Sequence, residues 1–386
     1  MAASASQPDA TESAPSTEDL VVNVKVLNLA GSEVADLPLK PETTVREIKR
    51  TLQDKVKCPD CMQCLCHQDQ PLDDRDTCAS LGWQGEVTIY LTRMALDAEK
   101  GISTLLKSGG AQGPAKMQRT ELERLCAICE SIFDSEPMLL ELQGPLMVVG
   151  NLHGHFDQLL QILDKMGHPS DTKRYLFLGG YVDRGPRSLD TVSLLFFFKA
   201  QQPDNVILLR SNHEDASMSR IYGFYDECHK HHGVKLWKLF CRTFNSMPVA
   251  ALVNERIFCV HGGLSPELKD LNQIRQLKRP AQVPESGLLC DLLWSDPSDT
   301  SGWGENDRGV SFTWGEDVAK QMLSDLNLDL ICRSHQVVEG GYQLFAEGRA
   351  VTLWSIRNFR HMDMPSTCGV MMISEDGKRT FECLTE

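Results

Sequence analysis

The stretch from residue 176 to residue 185 reads LFLGGYVDRG. An apolar, strand-forming run leads into Gly179 and Gly180, and the charged pair Asp183 and Arg184 follows before the next glycine. Ligands collect at the carboxyl edge of the strands in α/β folds, so this segment indicates a site at the end of a strand. Gly180 occupies a position where a functional side chain is expected.

Four other apolar segments end in polar residues in the same way. They read GNLHGH (150–155), RSNHE (210–214), HGGLSP (261–266) and RSHQV (333–337). A single histidine is more often structural than a ligand, but five strands that all end in His, Asn, Asp or Arg favour a shared site. Imidazole and amide groups suit a transition metal, and arginines grip phosphate oxygens bidentately. The residues alone therefore predict a metal-assisted phosphate site.

The region around these segments alternates apolar strands with helical patterns. The predicted strands are PLMVVG, RYLFLG, NVILLR, RIFCVHG, LDLICRSH and AVTLWS, and a helix is predicted over RTELERLCAICESIF (119–133). A Gly-rich stretch at 108–116 precedes that helix. This alternation predicts a layered α/β fold.

The N-terminal part of the chain has a different organisation. Residues 1–19 are rich in Ala, Ser, Pro and acidic residues, which predicts a disordered leader. Residues 20–93 show two strands joined at Gly31, a helix with Thr44 as its N-cap, and a last strand, EVTIYLTR. This order resembles the ubiquitin-like β-grasp domain. The terminal di-glycine used for conjugation is missing, because the chain continues as MALDAEKG, so the resemblance implies an adaptor.

A cysteine-rich run, KCPDCMQCLCHQD (57–69), lies inside this N-terminal region. Its candidate ligands are Cys58, Cys61, Cys64, Cys66 and His67. The spacing suits a zinc site. Because the run falls where ubiquitin-like domains place a turn and a strand, alternate side chains would point to opposite faces. Core or surface cysteines and zinc or redox chemistry therefore both stay open.

The strand-end segments also resemble a known family. GNLHGH, GGYVDRG, RSNHE, HGGLSP, LLWSDP, DRGVSFTWG and RSHQVVEGGY are similar, in order and spacing, to the signature blocks of the phosphoprotein phosphatase family of serine/threonine phosphatases. The resemblance covers about residues 97–386, and RIYGFYDEC and GWGENDRGVSF are closest to the type-1 catalytic subunit. It implies a phosphatase domain over 94–386 with a calcineurin-like metallophosphoesterase fold, in which a central β-sandwich is flanked by helices.

The family patterns GDxHG, GDxVDRG and GNHE hold two divalent ions through carboxylates, one of which bridges both ions. In this sequence Asn151 and Gly180 stand in place of two metal-binding aspartates, and Gly180 takes the place of the bridging one. One ion would retain only His153 and Asn151. The other would retain Asn212, His261 and His335, so the resemblance implies at most one divalent transition metal (manganese, iron or zinc) and an empty second position.

The other functional positions of the family are present. Arg184, Arg308 and Asn212 match its phosphate-binding groups, while His213 matches its general acid and Asp183 the carboxylate that orients that acid. Phe359 replaces a tyrosine near the site, and Arg357 and Arg360 add charge there. The first hypothesis is a protein that binds phosphoproteins or phosphatase partners with impaired or no hydrolysis. The alternative is an active phosphatase that works with one metal or a water-filled bridge.

The bulk composition restricts the class of partner. The 386 residues carry a formal net charge of -14, so the basic footprint of a nucleic-acid binder is missing and anionic membranes would be repelled. The sequence contains no apolar run of about 18 residues and no secretory signal, and its 14 cysteines favour the reducing cytoplasm or nucleus.

Three kinds of partner are expected. They are phosphoproteins, ubiquitin receptors or the proteasome through residues 20–93, and phosphatase regulatory subunits. The positions that match the regulatory-subunit groove of the type-1 enzyme are Leu330, Leu344 and Phe381, with Lys378 and Arg379 where apolar residues are usual.

Overall fold

The structure is a computed structural model that describes residues 21–56, 58, 63–93, 96–110, 114–359 and 366–384. The predicted leader (1–19), Cys61 and Arg360 lie outside the described residues. The chain divides after residue 95 into two compact units. They are called here the N-terminal unit (21–93) and the C-terminal unit (96–384).

The N-terminal unit is a five-stranded sheet packed on one helix. Its elements are β1 (Val22–Asn28), β2 (Glu33–Leu39), α1 (Val45–Val56), β3 (Gln63–His67), β4 (Gln70–Pro71) and β5 (Glu86–Arg93). The strand order is β2-β1-β5-β3-β4, with β1 and β5 parallel and the other described pairs antiparallel. The short strands β3 and β4 add to the strand–strand–helix–strand order expected from the sequence. The β-grasp prediction is confirmed.

Helix α1 begins where the sequence predicts. The Glu47 N–H donates to Thr44 Oγ1 at 3.2 Å, and the Thr44 N–H donates to Glu47 Oε2 at 2.8 Å. This reciprocal pair is a capping box, which satisfies two donors at the helix start. The Thr44 N–H, and then the Thr44 hydroxyl, also hold the pKa of Glu47 below its usual value. The predicted N-cap at Thr44 is confirmed. The helix then buries Val45, Ile48 and Leu52 against the sheet.

The C-terminal unit contains the remaining elements. Its helices are α2 (Ala98–Leu106), α3 (Arg119–Ser135), α4 (Phe156–Met166), α5 (Ser188–Gln201), α6 (Ala216–Ile221), α7 (Phe224–His232), α8 (Val234–Phe244), α9 (Asn272–Arg275), α10 (Leu288–Trp294) and α11 (Glu316–Asp325). Its strands are β6 (Leu139–Leu142), β7 (Leu146–Val149), β8 (Tyr175–Phe177), β9 (Val206–Leu208), β10 (Ala250–Val253), β11 (Ile257–Val260), β12 (Asp296–Pro297), β13 (Trp303–Glu305), β14 (Phe312–Trp314), β15 (Leu330–Arg333), β16 (Tyr342–Phe345), β17 (Ala350–Leu353), β18 (Cys368–Ile373) and β19 (Arg379–Leu384).

Two large sheets form the centre of this unit. One has the order β16-β17-β15-β11-β10-β6 and the other β19-β18-β7-β8-β9, while β12, β14 and β13 form a small third sheet. A core cluster that includes Val148, Leu176, Cys259 and Val351 joins residues of both large sheets. Two further clusters join the sheets to helices. The predicted β-sandwich flanked by helices is confirmed.

This arrangement fixes where the polar segments meet. Strands β7, β8 and β9 are parallel to one another, and β11, β15 and β17 are parallel in the other sheet. Parallel strands present their carboxyl ends at one sheet edge. The segments that start at residues 150, 179, 210, 261 and 334 follow the carboxyl ends of β7, β8, β9, β11 and β15.

Candidate functional site

The polar residues from the strand ends meet around one pocket of about 250 Å³. The pocket is lined by Asn151, His153, Arg184, His213, Arg308, His335, Gln336, Val337, Trp354 and Phe359. The three other candidate residues are buried behind this lining. Asn212 Nδ2 lies 3.3 Å from His335 Nε2, Asp183 contacts His213, and the His261 ring lies 5.2 Å from the His335 ring.

The backbone at this pocket has several left-handed residues. His153, Asp183, Arg184 and His335 have φ values of +40°, +73°, +66° and +71°. Non-glycine residues rarely adopt this conformation, and it persists at sites where the surrounding structure fixes it. The fold therefore holds these four side chains in place at some cost in stability.

Asn151 and His153 occupy the first of the two metal positions that the sequence resemblance implies. His153 Nδ1 lies 3.0 Å from the Val182 carbonyl oxygen, which places the ring proton on Nδ1 and leaves a lone pair on Nε2. Asn151 Nδ2 lies 3.0 Å from that Nε2 and donates to it. The amide oxygen of Asn151 in turn accepts from Ser334 Oγ at 3.1 Å. The lone pair that would bind a metal is therefore used in a hydrogen bond.

Gly180 offers no group to this position. Its φ is +75°, and a Cβ added to it would lie 2.6 Å from Asn151 Oδ1. The amide of Asn151 therefore fills the space that a side chain at residue 180 would need. The residues present do not fit a metal ion at the first position.

The second metal position is different. His261 Nε2 and Asn212 Oδ1 are buried and have no hydrogen-bond partner among the described residues. His261 Nδ1 lies 2.9 Å from the Leu178 carbonyl oxygen and donates to it, so its free Nε2 carries a lone pair. Buried polar atoms without partners are unusual and indicate a missing ligand or ion. Asn212, His261 and His335 therefore fit one transition metal ion, with two imidazoles and an amide oxygen, provided that the ion displaces the contact between Asn212 Nδ2 and His335 Nε2. That contact is 3.3 Å long, against 3.0 Å at His153, and the two other ligand atoms of this position have no partner to displace within the described part of the chain.

The three imidazoles at the two metal positions are neutral. Burial, followed by the proximity of a second histidine, holds the pKa of His153 and of His261 well below the usual value. Burial lowers the pKa of His335 to about 4, although Asp296 opposes the shift. Neutral imidazole is the form that binds metals. Among the described residues, no group of three or more His, Cys, Asp or Glu side chains is arranged to hold an ion.

His213 and Asp183 form the pair expected of a general acid and its orienting carboxylate. His213 Nδ1 donates to Asp183 Oδ2 at 2.7 Å, and both side chains are buried. Burial raises the pKa of Asp183 to about 7, while the Phe224 N–H and Arg184 oppose this shift. Burial also holds the pKa of His213 well below its usual value. His213 presents its other ring edge to the pocket.

Two arginines from different segments line the pocket. The Arg184 guanidinium lies 4.3 Å from the centre of the Tyr222 ring, and Arg308 Nε donates to Asp296 Oδ2 at 2.7 Å. Both groups carry fixed positive charge beside neutral histidines. An anion with several oxygens, such as a phosphate monoester, is the ligand that suits such a pair.

Asp296 is a buried residue that the sequence reasoning missed. Its carboxylate accepts from Arg333, Arg308 and His335 at 2.7, 2.7 and 3.0 Å. Burial alone would raise its pKa, but His335 and the two arginines hold the pKa well below the usual value. Asp296 therefore orients His335 and Arg308 together. Asp296 lies in the segment LLWSDP, which resembles the family, but the sequence of this segment does not predict the three partners.

Glu214 is a second residue that the sequence reasoning missed. Its buried carboxylate accepts from the N–H groups of Gly180 and Tyr181, each at 2.8 Å, and from Ser211 Oγ. Burial raises its pKa, and these donors oppose the shift. Glu214 thus fixes the loop that carries Gly180 and Asp183. The sequence feature that could have indicated Glu214 is its position at the end of the polar segment RSNHE.

Phe359 lies in the wall of the pocket, as the sequence comparison with the phosphatase signature implied. It is 2% exposed, its ring stacks 5.9 Å from the His153 ring, and it meets the Trp354 ring edge to face at 5.0 Å. Its side chain therefore adds apolar surface where a tyrosine would carry a hydroxyl. Arg357 is partly buried, and its N–H donates to Gln158 Oε1 at 3.2 Å.

The positions named for a regulatory-subunit groove do not share one environment. Leu330 is 1% exposed in the core between the sheets, whereas Leu344 on β16 is 53% exposed. The Phe381 ring stacks on the Tyr342 ring at 4.0 Å.

The fold and the arrangement of the pocket are those of a metallophosphoesterase-type protein. A sequence model of the calcineurin-like phosphoesterase family matches residues 144–339, just over half of the chain. The chain therefore belongs to the calcineurin-like phosphoesterase family. A model of the ubiquitin family matches residues 22–94, so the chain also carries an N-terminal ubiquitin domain.

Two solved structures are similar to this chain to different degrees. The chain is 29% identical to a protein serine/threonine phosphatase from Saccharomyces cerevisiae described as similar to human phosphatase PP5, with a TM-score of 0.69 over 75% of this chain and 96% of that one. A cold-active protein-tyrosine phosphatase of a psychrophilic Shewanella species is 18% identical, with a TM-score of 0.45 over 65% of this chain and 83% of that one. The second likeness is too low to carry a functional argument.

No helix among the described residues is long and apolar enough to cross a membrane.

Proposed function

We propose that the C-terminal unit binds phosphorylated proteins or phosphatase partners with impaired or no hydrolysis of the phosphate ester. The hydrogen bond from Asn151 Nδ2 to His153 Nε2 carries this proposal, because it uses the lone pair that would hold the first ion. Gly180 removes the carboxylate that would join two ions. A single ion cannot stabilise both the attacking and the leaving oxygen.

The phosphate-binding groups support the binding half of the proposal. Arg184 and Arg308 line the pocket, and Asp296 holds Arg308 in position. Guanidinium groups form short, strong hydrogen bonds to phosphate oxygens without the help of a metal. A phosphoserine or phosphothreonine side chain is the ligand class that follows from this arrangement and from the relationship to serine/threonine phosphatases.

The binding half is tested with Arg184→Ala and a phosphopeptide. Loss of a charged hydrogen-bond donor should weaken phosphopeptide binding by roughly tenfold or more, as measured by calorimetry. Arg242→Ala is the matched control, because Arg242 is an exposed arginine paired with Glu130 outside the pocket. Equal binding of the phosphorylated and unphosphorylated peptide by the wild type would overturn the proposal.

The second candidate function is a phosphatase that works with one metal ion. The unpartnered atoms His261 Nε2 and Asn212 Oδ1 favour it, because they fit an ion at the second position. Such an ion would supply a bound water as the nucleophile, while His213, oriented by Asp183, would pass a proton to the leaving oxygen after taking one up on its second ring nitrogen.

This alternative makes its own prediction about His261. If one ion supports hydrolysis, the wild type should release phosphate from a phosphopeptide in the presence of Mn²⁺, and His261→Gln should abolish the release. His168→Gln is the control, since His168 is exposed outside the pocket. Under the binding proposal, the wild type releases little or no phosphate, and His261→Gln changes this release no more than His168→Gln does.

We also propose that the C-terminal unit is most similar, in sequence, to the catalytic subunit of type-1 phosphatases. The stretches RIYGFYDEC (220–228) and GWGENDRGVSF (302–312) support this. Docking of regulatory subunits is expected to be weak, because Lys378 and Arg379 replace apolar residues and Leu344 alone of the three groove positions is strongly exposed. Calorimetry with a type-1 docking peptide tests this, and tight binding would contradict it.

The N-terminal unit is proposed to act as an adaptor for ubiquitin receptors or the proteasome. The match to the ubiquitin family supports this role. Titration of the full chain with a ubiquitin-interacting peptide, followed by NMR, should shift resonances of residues 21–93. Shifts confined to the C-terminal unit would contradict the proposal.

A further inference from the structure

Two free thiols lie side by side on strand β3. Cys64 and Cys66 are alternate residues of the strand, so both side chains point to the same face, while Leu65 between them is buried in the core. Both cysteines are partly exposed and neither forms a disulfide. Their Sγ atoms are 3.7 Å apart.

The spacing of the two thiols is set by the sheet. Strand β3 pairs with β5, where Cys64 lies opposite Thr92 and Cys66 opposite Tyr90. On its other side Cys66 lies opposite Pro71 of β4. At Cys66, strand β3 therefore lies between β5 and β4. Both thiols are partly exposed.

The sulfur–sulfur distance matches the requirement of a shared metal ion. A tetrahedral zinc ion with Zn–S bonds of about 2.3 Å places two thiolates about 3.8 Å apart. The observed 3.7 Å agrees with this value. It is far longer than the roughly 2.05 Å of a disulfide, so the pair lies at chelating distance.

We propose that Cys64 and Cys66 form a binding site for a thiophilic divalent cation of the zinc type. Binding forms two metal–sulfur bonds and breaks two S–H bonds, whose protons pass to solvent, with no change of oxidation state. The two thiolates balance the charge of the ion. Within the described part of this unit no third imidazole, carboxylate or thiol completes a group of three.

The state of the two cysteines is consistent with this exchange. Cys64 and Cys66 are free thiols, so both are available to exchange their protons for an ion.

The test uses Co²⁺ as a spectroscopic substitute for zinc, added to the full reduced chain. Thiolate ligands give Co²⁺ a charge-transfer absorption in the near ultraviolet. Ions at Asn212, His261 and His335 have no sulfur ligand and give no such band. The wild type should show the band, Cys64→Ser and Cys66→Ser should each reduce it, and the double variant should lose it.

Cys383→Ser is the matched control, because Cys383 is an exposed single thiol of the C-terminal unit. It should leave the band unchanged. Absence of the band in the wild type, or a band of wild-type strength in the double Cys64→Ser/Cys66→Ser variant, would overturn the site.

A second measurement does not depend on the folding of variants. Zinc ions should slow the alkylation of Cys64 and Cys66 in the wild-type chain, as read by mass spectrometry of the peptides. The alkylation of Cys383 should be unaffected. Unchanged rates at both strand cysteines would overturn the proposal.

Discussion

Asn151 and Gly180 are substitutions that fit each other. The amide of Asn151 occupies the space above Gly180, and it pairs with the nitrogen of His153 that would face an ion. A side chain at residue 180 would need this space, and a different residue at 151 would leave the His153 lone pair unpaired. An aspartate at residue 180 alone, or at residue 151 alone, is therefore expected to be unfavourable.

This coupling predicts a non-additive stability cycle. Gly180→Ala should lower the free energy of unfolding by about 2–4 kcal/mol, because it combines left-handed backbone strain with a contact to Asn151. In an Asn151→Ala background the contact is gone, and the cost should fall to about 1–2 kcal/mol. Urea unfolding of the four proteins measures the difference.

Gly348→Ala is the control for this cycle. Gly348 has a similar φ of +80°, but nothing lies within 4 Å of an added Cβ. It should cost about 1–2 kcal/mol in both backgrounds, from strain alone. Additive effects of Asn151→Ala and Gly180→Ala would show that the two residues are independent.

Asp296 is predicted to be the most important buried charge of the pocket. Asp296→Asn leaves Arg333, which is fully buried, without its carboxylate partner. Breaking a buried pair in this way should destabilise the unit by about 3–5 kcal/mol in urea unfolding. Asp329→Asn, which breaks an exposed pair with Arg256, should cost no more than about 1 kcal/mol. Similar costs for the two variants would contradict this account of Asp296.

At the scale of single elements, the start of helix α1 gives a test that is independent of the pocket. Thr44→Ala removes the side-chain oxygen that accepts the Glu47 N–H. The thermal transition of the N-terminal unit should shift by the equivalent of about 0.5–2 kcal/mol. Thr51→Ala, in the exposed part of the same helix, should be neutral or slightly stabilising, because alanine favours helix. Equal losses from both variants would show that the cap contributes nothing specific.

The loop between β8 and α5 shows how one buried residue places several others. Glu214 holds the N–H groups of Gly180 and Tyr181, and the Asp183 N–H donates to Ser188 Oγ at 3.0 Å. The Ser188 N–H in turn donates to Glu227 at 2.9 Å. The position of Asp183 therefore depends on groups from the segment after β9, from α5 and from α7, and not only on its own loop.

For the molecule as a whole, much of the architecture could be predicted from local patterns. Apolar runs that end in polar residues located the strand ends, and alternation located β1 and β5. These patterns are predictive because buried strands consist of apolar residues and the segments at the sheet edges are polar. The site residues could be placed near one another for the same reason.

The hydrogen bonds that decide the chemistry could not be predicted in this way. Asn151 could have served as a weak ligand, and only the structure turns its amide nitrogen towards His153. The roles of Asp296 and Glu214 depend on partners that are distant in sequence. The spacing of Cys64 and Cys66 depends on the register of β3, a strand whose Gln and Cys residues carry little strand signal.

Restoration of both aspartates should restore a metal-dependent site. Asp tolerates left-handed backbone better than most residues, so Gly180→Asp is feasible once Asn151→Asp removes the amide. The two new carboxylates repel each other without an ion, so the double variant should unfold more easily than the wild type and gain stability when Mn²⁺ is added. A melting temperature that does not respond to Mn²⁺ would contradict this expectation.

Phosphate release from a phosphopeptide in the presence of Mn²⁺ tests the central claim most directly. The wild type and Asn151→Asp alone should release little or no phosphate, because neither has a carboxylate at residue 180. The double variant Asn151→Asp/Gly180→Asp should release phosphate much faster. Equal release by the wild type and the double variant would contradict the claim that these two residues impair the reaction.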